Sequence, residues 1–325
     1  LLAAVSAYQA VVTSAFATMV MLDRVEAWGI LSFALLAGLP WVVAEPSRMS
    51  LVGRFVPKEG PVNAFALNSM AFSATRLATP ALGGLMLAVM GAGPALLAQV
   101  GLSGVGVFMA LSLRFEETNR IPFRLGSAFT GLKEGAEYVR GEPVVLGLIL
   151  LGAIPPVLVM PFVHGLMPVY AAEVFDVGPG GLGVLFAALG VGSTIGTVGL
   201  ASLGQVQRQG RLIVLALVWL GVGMALLAQV QTYALALPVL ATLGVGVSGF
   251  WTTATAAILV RVDEELRGRV AGLYMVTWGL YPVGSLLAGT LAERFSPPTA
   301  TMTAAGLVAV SLTAMFLRFK FIWRA

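Results

Sequence analysis

The chain is a succession of long apolar runs separated by short polar breaks. Ten runs stand out, at about 1–22, 29–50, 63–90, 94–114, 144–172, 180–203, 211–230, 235–260, 269–292 and 299–318. Each is long enough, at a helical rise near 1.5 Å per residue, to cross about 30 Å of hydrocarbon. They are apolar on all sides, whereas membrane strands need only about ten residues of alternating character. The pattern predicts an all-α membrane protein with about ten transmembrane helices.

The polar breaks predict a direction for those helices. One set of alternate breaks holds Arg48, Arg54 and Lys58, then Arg114, Arg120, Arg124, Lys133 and Arg140. The same set continues with Arg208 and Arg211, then Arg261, Arg267 and Arg269, and last Arg318, Lys320 and Arg324. The other set holds only Arg24 and Arg294. Positive charge concentrates in cytoplasmic loops, so the first span is expected to run outward and the C-terminus to be cytoplasmic.

The longest break, 115–143, falls on the cytoplasmic side and divides the chain. It leaves an N-terminal part of four helices, 1–114, and a C-terminal part of six, 144–325. Within the break Ser127 can cap a short helix. Phe129, Leu132, Ala136 and Val139 fall on one face of that helix, and Lys133, Glu134, Glu137 and Arg140 lie off it. A linker helix lying against the membrane surface or the helix bundle is expected, with a regulatory role as the alternative.

Composition agrees with a bilayer as solvent. Of 325 residues, 58% are hydrophobic and 10% charged, with a mean hydropathy of +0.93. A water-soluble domain carries about a quarter charged residues. Thirty-nine glycines and 17 prolines are tolerated inside such helices. No cysteine is present, which excludes disulfides, iron–sulfur clusters and thiolate zinc sites. With a single histidine, His164, a histidine metal cage is excluded as well, and no cofactor or metal is expected. The +4 net charge reads as topology-setting loop charge, with no nucleic-acid partner.

The two parts carry a faint internal echo. Val56-Pro57-Lys58-Glu59-Gly60 leads into a run with Pro80, Gly83 and Gly84. Val262-Asp263-Glu264-Glu265-Leu266-Arg267-Gly268 leads into one with Pro282 and Gly284. Parallel repeats of this kind build several transporter folds.

Four stretches carry a resemblance to a known family. They are Glu45-Pro46-Ser47-Arg48 through Asn63-Ala64-Phe65-Ala66-Leu67-Asn68-Ser69; Arg76-Leu77-Ala78-Thr79-Pro80-Ala81-Leu82-Gly83-Gly84; Pro168-Val169-Tyr170-Ala171-Ala172-Glu173 with the Gly-rich run after it; and Glu265-Leu266-Arg267-Gly268-Arg269-Val270 leading to Gly284-Ser285-Leu286-Leu287-Ala288-Gly289. In combination the chain resembles the major facilitator superfamily, in its drug and siderophore exporter branch. The second stretch is similar to the Gly-Pro-x-x-Gly-Gly signature of antiporters, with Thr79 where the signature has glycine. The resemblance implies a helical bundle of twelve helices in two halves, of which ten are present. Because the sequence opens at Leu1-Leu2-Ala3-Ala4 inside an apolar run, its start is expected to correspond to the family's third helix.

Candidate functional residues follow. Arg76 lies about 13 residues, or roughly 20 Å, from the cytoplasmic start of its span. At that depth an arginine costs several kcal/mol unless paired or hydrated. Glu45 lies only about five residues, or roughly 8 Å, from the cytoplasmic end of its own span, too far off for a direct ion pair. Arg76 is therefore expected to face water, an anionic substrate or a carboxylate outside the ten runs. Glu45 is open to two readings, a protonatable gate or an interfacial ion pair. Asn68 joins them as a substrate or coupling candidate through the resemblance.

Pro80, Gly83 and Gly84 remove a backbone donor and two side chains from one turn, allowing a kink and close helix approach. Arg267 and Gly268 are expected to share that conformational and packing role. Tyr274, Trp278 and Tyr281 repeat at i, i+4 and i+7, an aromatic stripe that the family's geometry would set beside the central cavity; Trp251 is a weaker candidate of the same kind. Simple packing is the alternative for these rings. His164 sits in a proline-rich run, as a proton relay or a hydrogen-bonded structural residue.

The expected function is a secondary active transporter, proton-coupled, exporting a small amphipathic molecule of drug or siderophore type by alternating access. It would work as a monomer in a bacterial-type plasma (inner) membrane, with small molecule, lipid and protons as its partners. The alternatives are a non-transporting fragment of such an exporter and an integral membrane enzyme. The enzyme reading lacks a metal cluster, a histidine dyad and a phosphate loop.

Overall fold

The structure is a computed structural model. It describes residues 2–26, 28–30, 32–33, 35–38, 75, 82–83, 86–87, 89–112, 125–202, 209–262 and 266–318. The described residues form helices and turns without a strand. Eight of their helices are long and apolar enough to cross a membrane. These are Ala3–Met21, Ala92–Ser112, Pro143–Val174, Pro179–Leu200, Gln209–Leu227, Tyr233–Ile258, Gly268–Arg294 and Pro297–Arg318. Each coincides with a span predicted from the apolar pattern. The other two predicted spans, 29–50 and 63–90, fall mostly outside the described residues.

By internal contacts the chain divides into two compact units, Leu1–Ile121 and Pro122–Ala325. In the first, helix α1 (Leu2–Met21) packs along α2 (Ala92–Ser112). Small residues bring them together: Gly106 faces the Ser6 side chain, and Gly93 faces Met21. After α1 the chain turns through Asp23 at φ 54°, a left-handed conformation that aspartate accepts more readily than most residues. Phe33 then stacks on Phe16 at 4.2 Å, and the Tyr8 hydroxyl donates to the Leu36 carbonyl at 3.2 Å.

The second unit opens with α3 (Leu125–Gly141), the predicted linker helix. Its described residues start at Leu125, with Ser127 helical among them. Gly135 and Val139, one turn apart, are buried on its inner face. The side chains of Phe129 and Leu132 lie outside the described set.

The next span starts as α4 (Pro143–Ile154), with Pro143 in the first turn, where its missing N–H costs nothing. Prolines 155, 156 and 161 then remove donors that an α-helix would need. The ladder answers by widening: the N–H of Met160 reaches the Pro155 carbonyl, and that of Leu166 reaches Pro161. These are π turns at Pro155–Val159 and Pro161–Gly165, followed by a third at Tyr170–Val174. A broken ladder in hydrocarbon leaves bare polar groups, so a widened turn is preferred to a gap.

Four more spans follow: α5 (Pro179–Ser202), α6 (Gln209–Leu227), α7 (Tyr233–Arg261) and a split helix made of α8 (Arg267–Val276) and α9 (Tyr281–Arg294). Helix α10 (Pro297–Arg318) closes the unit. The tightest seam joins α5 to α7. A side chain at Gly192 would collide with the Ala241 backbone, and one at Gly244 with the backbone of Leu189 and Ser193. Close approach without side chains is the main source of packing energy between helices in lipid.

Candidate functional site

The split between α8 and α9 is where the second unit holds its aromatic residues. Pro282 has no N–H to offer the Trp278 carbonyl four residues before it. That carbonyl is satisfied instead by the Tyr281 N–H, three residues on, and Thr277–Leu280 winds as a single 3-10 turn. The Thr277 hydroxyl locks the turn by donating to the Tyr274 carbonyl at 2.6 Å. Interruptions of this kind within a membrane span are tolerated where backbone and side chains serve a site.

The turn presents two of the predicted aromatic residues to α7. Trp251 packs edge-on against Trp278, with centroids 4.8 Å apart, and tilted against Tyr274 at 6.0 Å. Gly152 on α4 supplies the floor: a methyl group there would overlap the Tyr274 ring. Tyr274 is 2% exposed, whereas Trp251 and Trp278 are half-buried. Tyr281 follows the 3-10 turn, its hydroxyl 3.9 Å from where a Cβ would sit on Gly165. Tyr274 and Tyr281 thus meet the same span, Pro143–Val174, at two of its glycines, Gly152 and Gly165.

Gly165 belongs to the same π turn as His164, whose half-buried ring faces Phe186 of α5 at 5.9 Å. Farther along the chain the Tyr170 hydroxyl, fully buried, bonds Thr301 Oγ1 at 3.0 Å and tethers the third π turn to α10. Gly284 on α9 abuts the Val157 carbonyl and Pro161, sealing α9 against the first two π turns.

The remaining predicted site residues are distributed as follows. Arg76, Glu45, Asn68, Pro80 and Gly84 lie outside the described residues. Gly83 is described, and no described atom lies within 4 Å of its Cβ position. Arg267 opens α8, its side chain not among those described, and Gly268 beside it has open space. Sequence reasoning missed the next residue. Arg269 pairs with Glu134 of α3 at 2.7 Å, and Gly135 lies 3.1 Å (from its Cβ position) from the Arg269 carbonyl. The linker helix therefore packs on the start of α8. It also missed Gly152 and Thr277, whose roles depend on residues more than a hundred positions away or on the 3-10 turn itself. Among the described residues no group of His, Asp or Glu is arranged to hold a metal.

Comparison with known proteins follows from this architecture. The family model described as Transmembrane secretion effector, of the major facilitator type, matches residues 1–322. The chain belongs to this family. It is a multi-pass membrane protein of the major facilitator type, and its relatives are transporters. The multidrug efflux pump Tap of Mycolicibacterium fortuitum is 25% identical over 315 residues, covering 92% of this chain and 76% of that protein. The staphyloferrin A transporter of Staphylococcus aureus is 26% identical, covering 88% and 71%. The enterobactin exporter EntS of Salmonella typhimurium is 25% identical, covering 88% of this chain and 66% of its own length. Among solved structures the fucose:proton symporter FucP of E. coli matches with a TM-score of 0.45 at 14% identity, covering 88% of this chain and 67% of that one.

Proposed function

We propose that this family member is a proton-coupled secondary exporter of a small amphipathic molecule of drug or siderophore type, working by alternating access as a monomer in a bacterial plasma membrane. What carries the reading is the likeness of 92% of the chain to a drug efflux pump. The aromatic group at an interrupted, charge-free part of a membrane span adds a surface suited to flat apolar substrates. In this reading 1–114 and 144–325 are the two rocking parts and 115–143 is the cytoplasmic linker. Arg76, Glu45 and Asn68 are the coupling and substrate candidates of the first part, and Trp251, Tyr274 and Trp278 those of the second.

The test is transport in everted membrane vesicles containing the protein, energised by respiration. Accumulation of a dye substrate should appear on energisation and collapse with a protonophore. Arg76→Ala should abolish it while leaving the amount of inserted protein unchanged. Gradient-independent accumulation would refute proton coupling, and no accumulation of any tested drug or siderophore would refute the exporter reading. Reporter fusions at Ala325 and within 115–143 should both report the cytoplasm; a periplasmic signal from either would reverse the proposed orientation.

A further inference from the structure

The aromatic group holds more hydrogen-bond donors than its surroundings can satisfy. Tyr274 Oη and Trp278 Nε1 are buried and have no hydrogen-bond partner among the described residues. The hydroxyls of Thr253 and Thr255 on α7 share that condition, and Thr255 lies one helical turn beyond Trp251. The nearby Thr277 hydroxyl donates to the Tyr274 carbonyl and accepts from none of them. Buried polar atoms without partners are uncommon in folded proteins, and each asks for an explanation.

The chemistry of the missing partner is restricted. An indole N–H can only donate, so whatever meets Trp278 must bring an acceptor. A phenol hydroxyl can donate to the same kind of oxygen. Charge is absent: residues 143–163, 233–260 and 270–292, the segments that meet here, contain no Asp, Glu, Lys or Arg. An ionised group brought against Trp251 would find no counter-ion on these segments. The ring faces of Trp251 and Trp278, set at 84° to each other, offer one flat wall and one edge.

We infer that Trp251, Tyr274 and Trp278 form a subsite for an uncharged planar ring system bearing carbonyl or ether oxygens, held by donation from Tyr274 Oη and Trp278 Nε1. This rests on the exporter reading for its biological purpose, but not for its chemistry. The ring of the ligand packs on the Trp251 face, and its oxygens take the two donors. Selection then runs through acceptor placement, so a ring of equal size and no oxygen is the wrong ligand.

Two small probes separate these properties. Menadione is an uncharged naphthoquinone with two carbonyls; 2-methylnaphthalene has the same frame and no oxygen. The chain has no cysteine, so the quinone meets no thiol to alkylate. Binding is read as saturable quenching of tryptophan fluorescence on the purified chain in detergent, with micelle partitioning matched by a protein-free titration. Menadione should bind at least about fivefold more tightly than 2-methylnaphthalene, the worth of one net hydrogen bond. Tyr274→Phe keeps the ring and removes only the hydroxyl. It should weaken menadione about fivefold and leave 2-methylnaphthalene unchanged.

Equal binding of the two probes to the unaltered chain would overturn the inference without any variant, and so would menadione binding that ignores Tyr274→Phe. A buried water satisfying the donors would give that second result. The inference and the exporter reading fail separately. Gradient-driven transport without probe discrimination removes the subsite alone. Discrimination without transport removes the exporter and leaves the subsite.

Discussion

Two places in the second unit bring helices together by opposite means. At the α5–α7 seam, glycines let backbone meet backbone, and the polar side chains are satisfied locally. Ser193 Oγ donates across the seam to the Gly244 carbonyl at 3.2 Å, and Ser248 Oγ returns to Val245. Thr194 and Thr197 bond back within their own helix. At the α8–α9 break, large rings meet around Gly152, and Tyr274 Oη and Trp278 Nε1 have no partner among the described residues. The first arrangement satisfies its polar side chains within the protein. The second leaves two ring donors with no acceptor among the described residues, and the subsite proposed above rests on that difference.

The seam should be the harder place to change. Gly244→Ala would normally favour a helix by roughly 1 kcal/mol. Here the methyl group meets backbone atoms of Leu189 and Ser193, which cannot rotate away as a side chain can. Overpacking of this kind costs about 3 kcal/mol or more. Thermal unfolding in detergent should move down by many degrees, or the variant should fail to accumulate. Unchanged unfolding would mean the seam opens easily and the contrast drawn here is wrong.

Gly152→Ala is the matching change at the break. The added methyl meets the Tyr274 ring, which is a side chain and can shift. A smaller loss of stability, about 1–2 kcal/mol, is expected, together with weakened quinone quenching because the ring moves with its hydroxyl. A loss as large as that at Gly244 would show that the ring is clamped as firmly as backbone.

How much of this was readable in the sequence differs between the two places. Apolar runs long enough to span hydrocarbon identify themselves, and the eight that fall within the described residues are helices at the expected positions. The prolines at 155, 156, 161 and 282 were visible too, but not their outcome. A missing N–H can be met by a kink, a π turn or a 3-10 turn, and the choice depends on what packs alongside. Three prolines in one span gave widened turns and the fourth a tightened one. The 3-10 turn that carries Trp278 could not be anticipated from helical spacing alone. Trp251, Gly152 and Tyr274 come from three separate helices, and the resemblance put only the rings in view. That the linker helix would lie against the bundle was an expected alternative, but not that it would meet α8, because Glu134 and Arg269 are 135 positions apart.

Two tyrosines sharpen the comparison by a single oxygen each. Tyr170 is fully buried, and its hydroxyl is met by Thr301 Oγ1 at 3.0 Å. Tyr170→Phe should cost about 1 kcal/mol, since Thr301 keeps its own bond to the Pro297 carbonyl at 2.9 Å. Tyr274→Phe removes an oxygen that has no partner among the described residues, so stability should hold or rise slightly. Equal losses in thermal unfolding for the two variants would mean that Tyr274 is already satisfied, and the break would then be as complete as the seam.

The smallest effect is expected where a polar contact sits in water and belongs to neither place. Arg269 and Glu134 pair at 2.7 Å, yet their side chains remain 45% and 43% exposed. An exposed pair gains little Coulomb energy and must hold two long side chains in one geometry, so its worth is about 0–1 kcal/mol. What holds α3 to α8 is instead the close approach at Gly135 and the burial of Val139. Glu134→Gln should therefore shift thermal unfolding by no more than about 0.5 kcal/mol, and the shift should vanish in about 0.5 M salt as the pair is screened. Gly135→Leu, which drives a side chain into the Arg269 backbone, should cost several times more at any salt concentration. If Glu134→Gln is the more damaging of the two, the linker helix is held by charge, and salt alone should then release it.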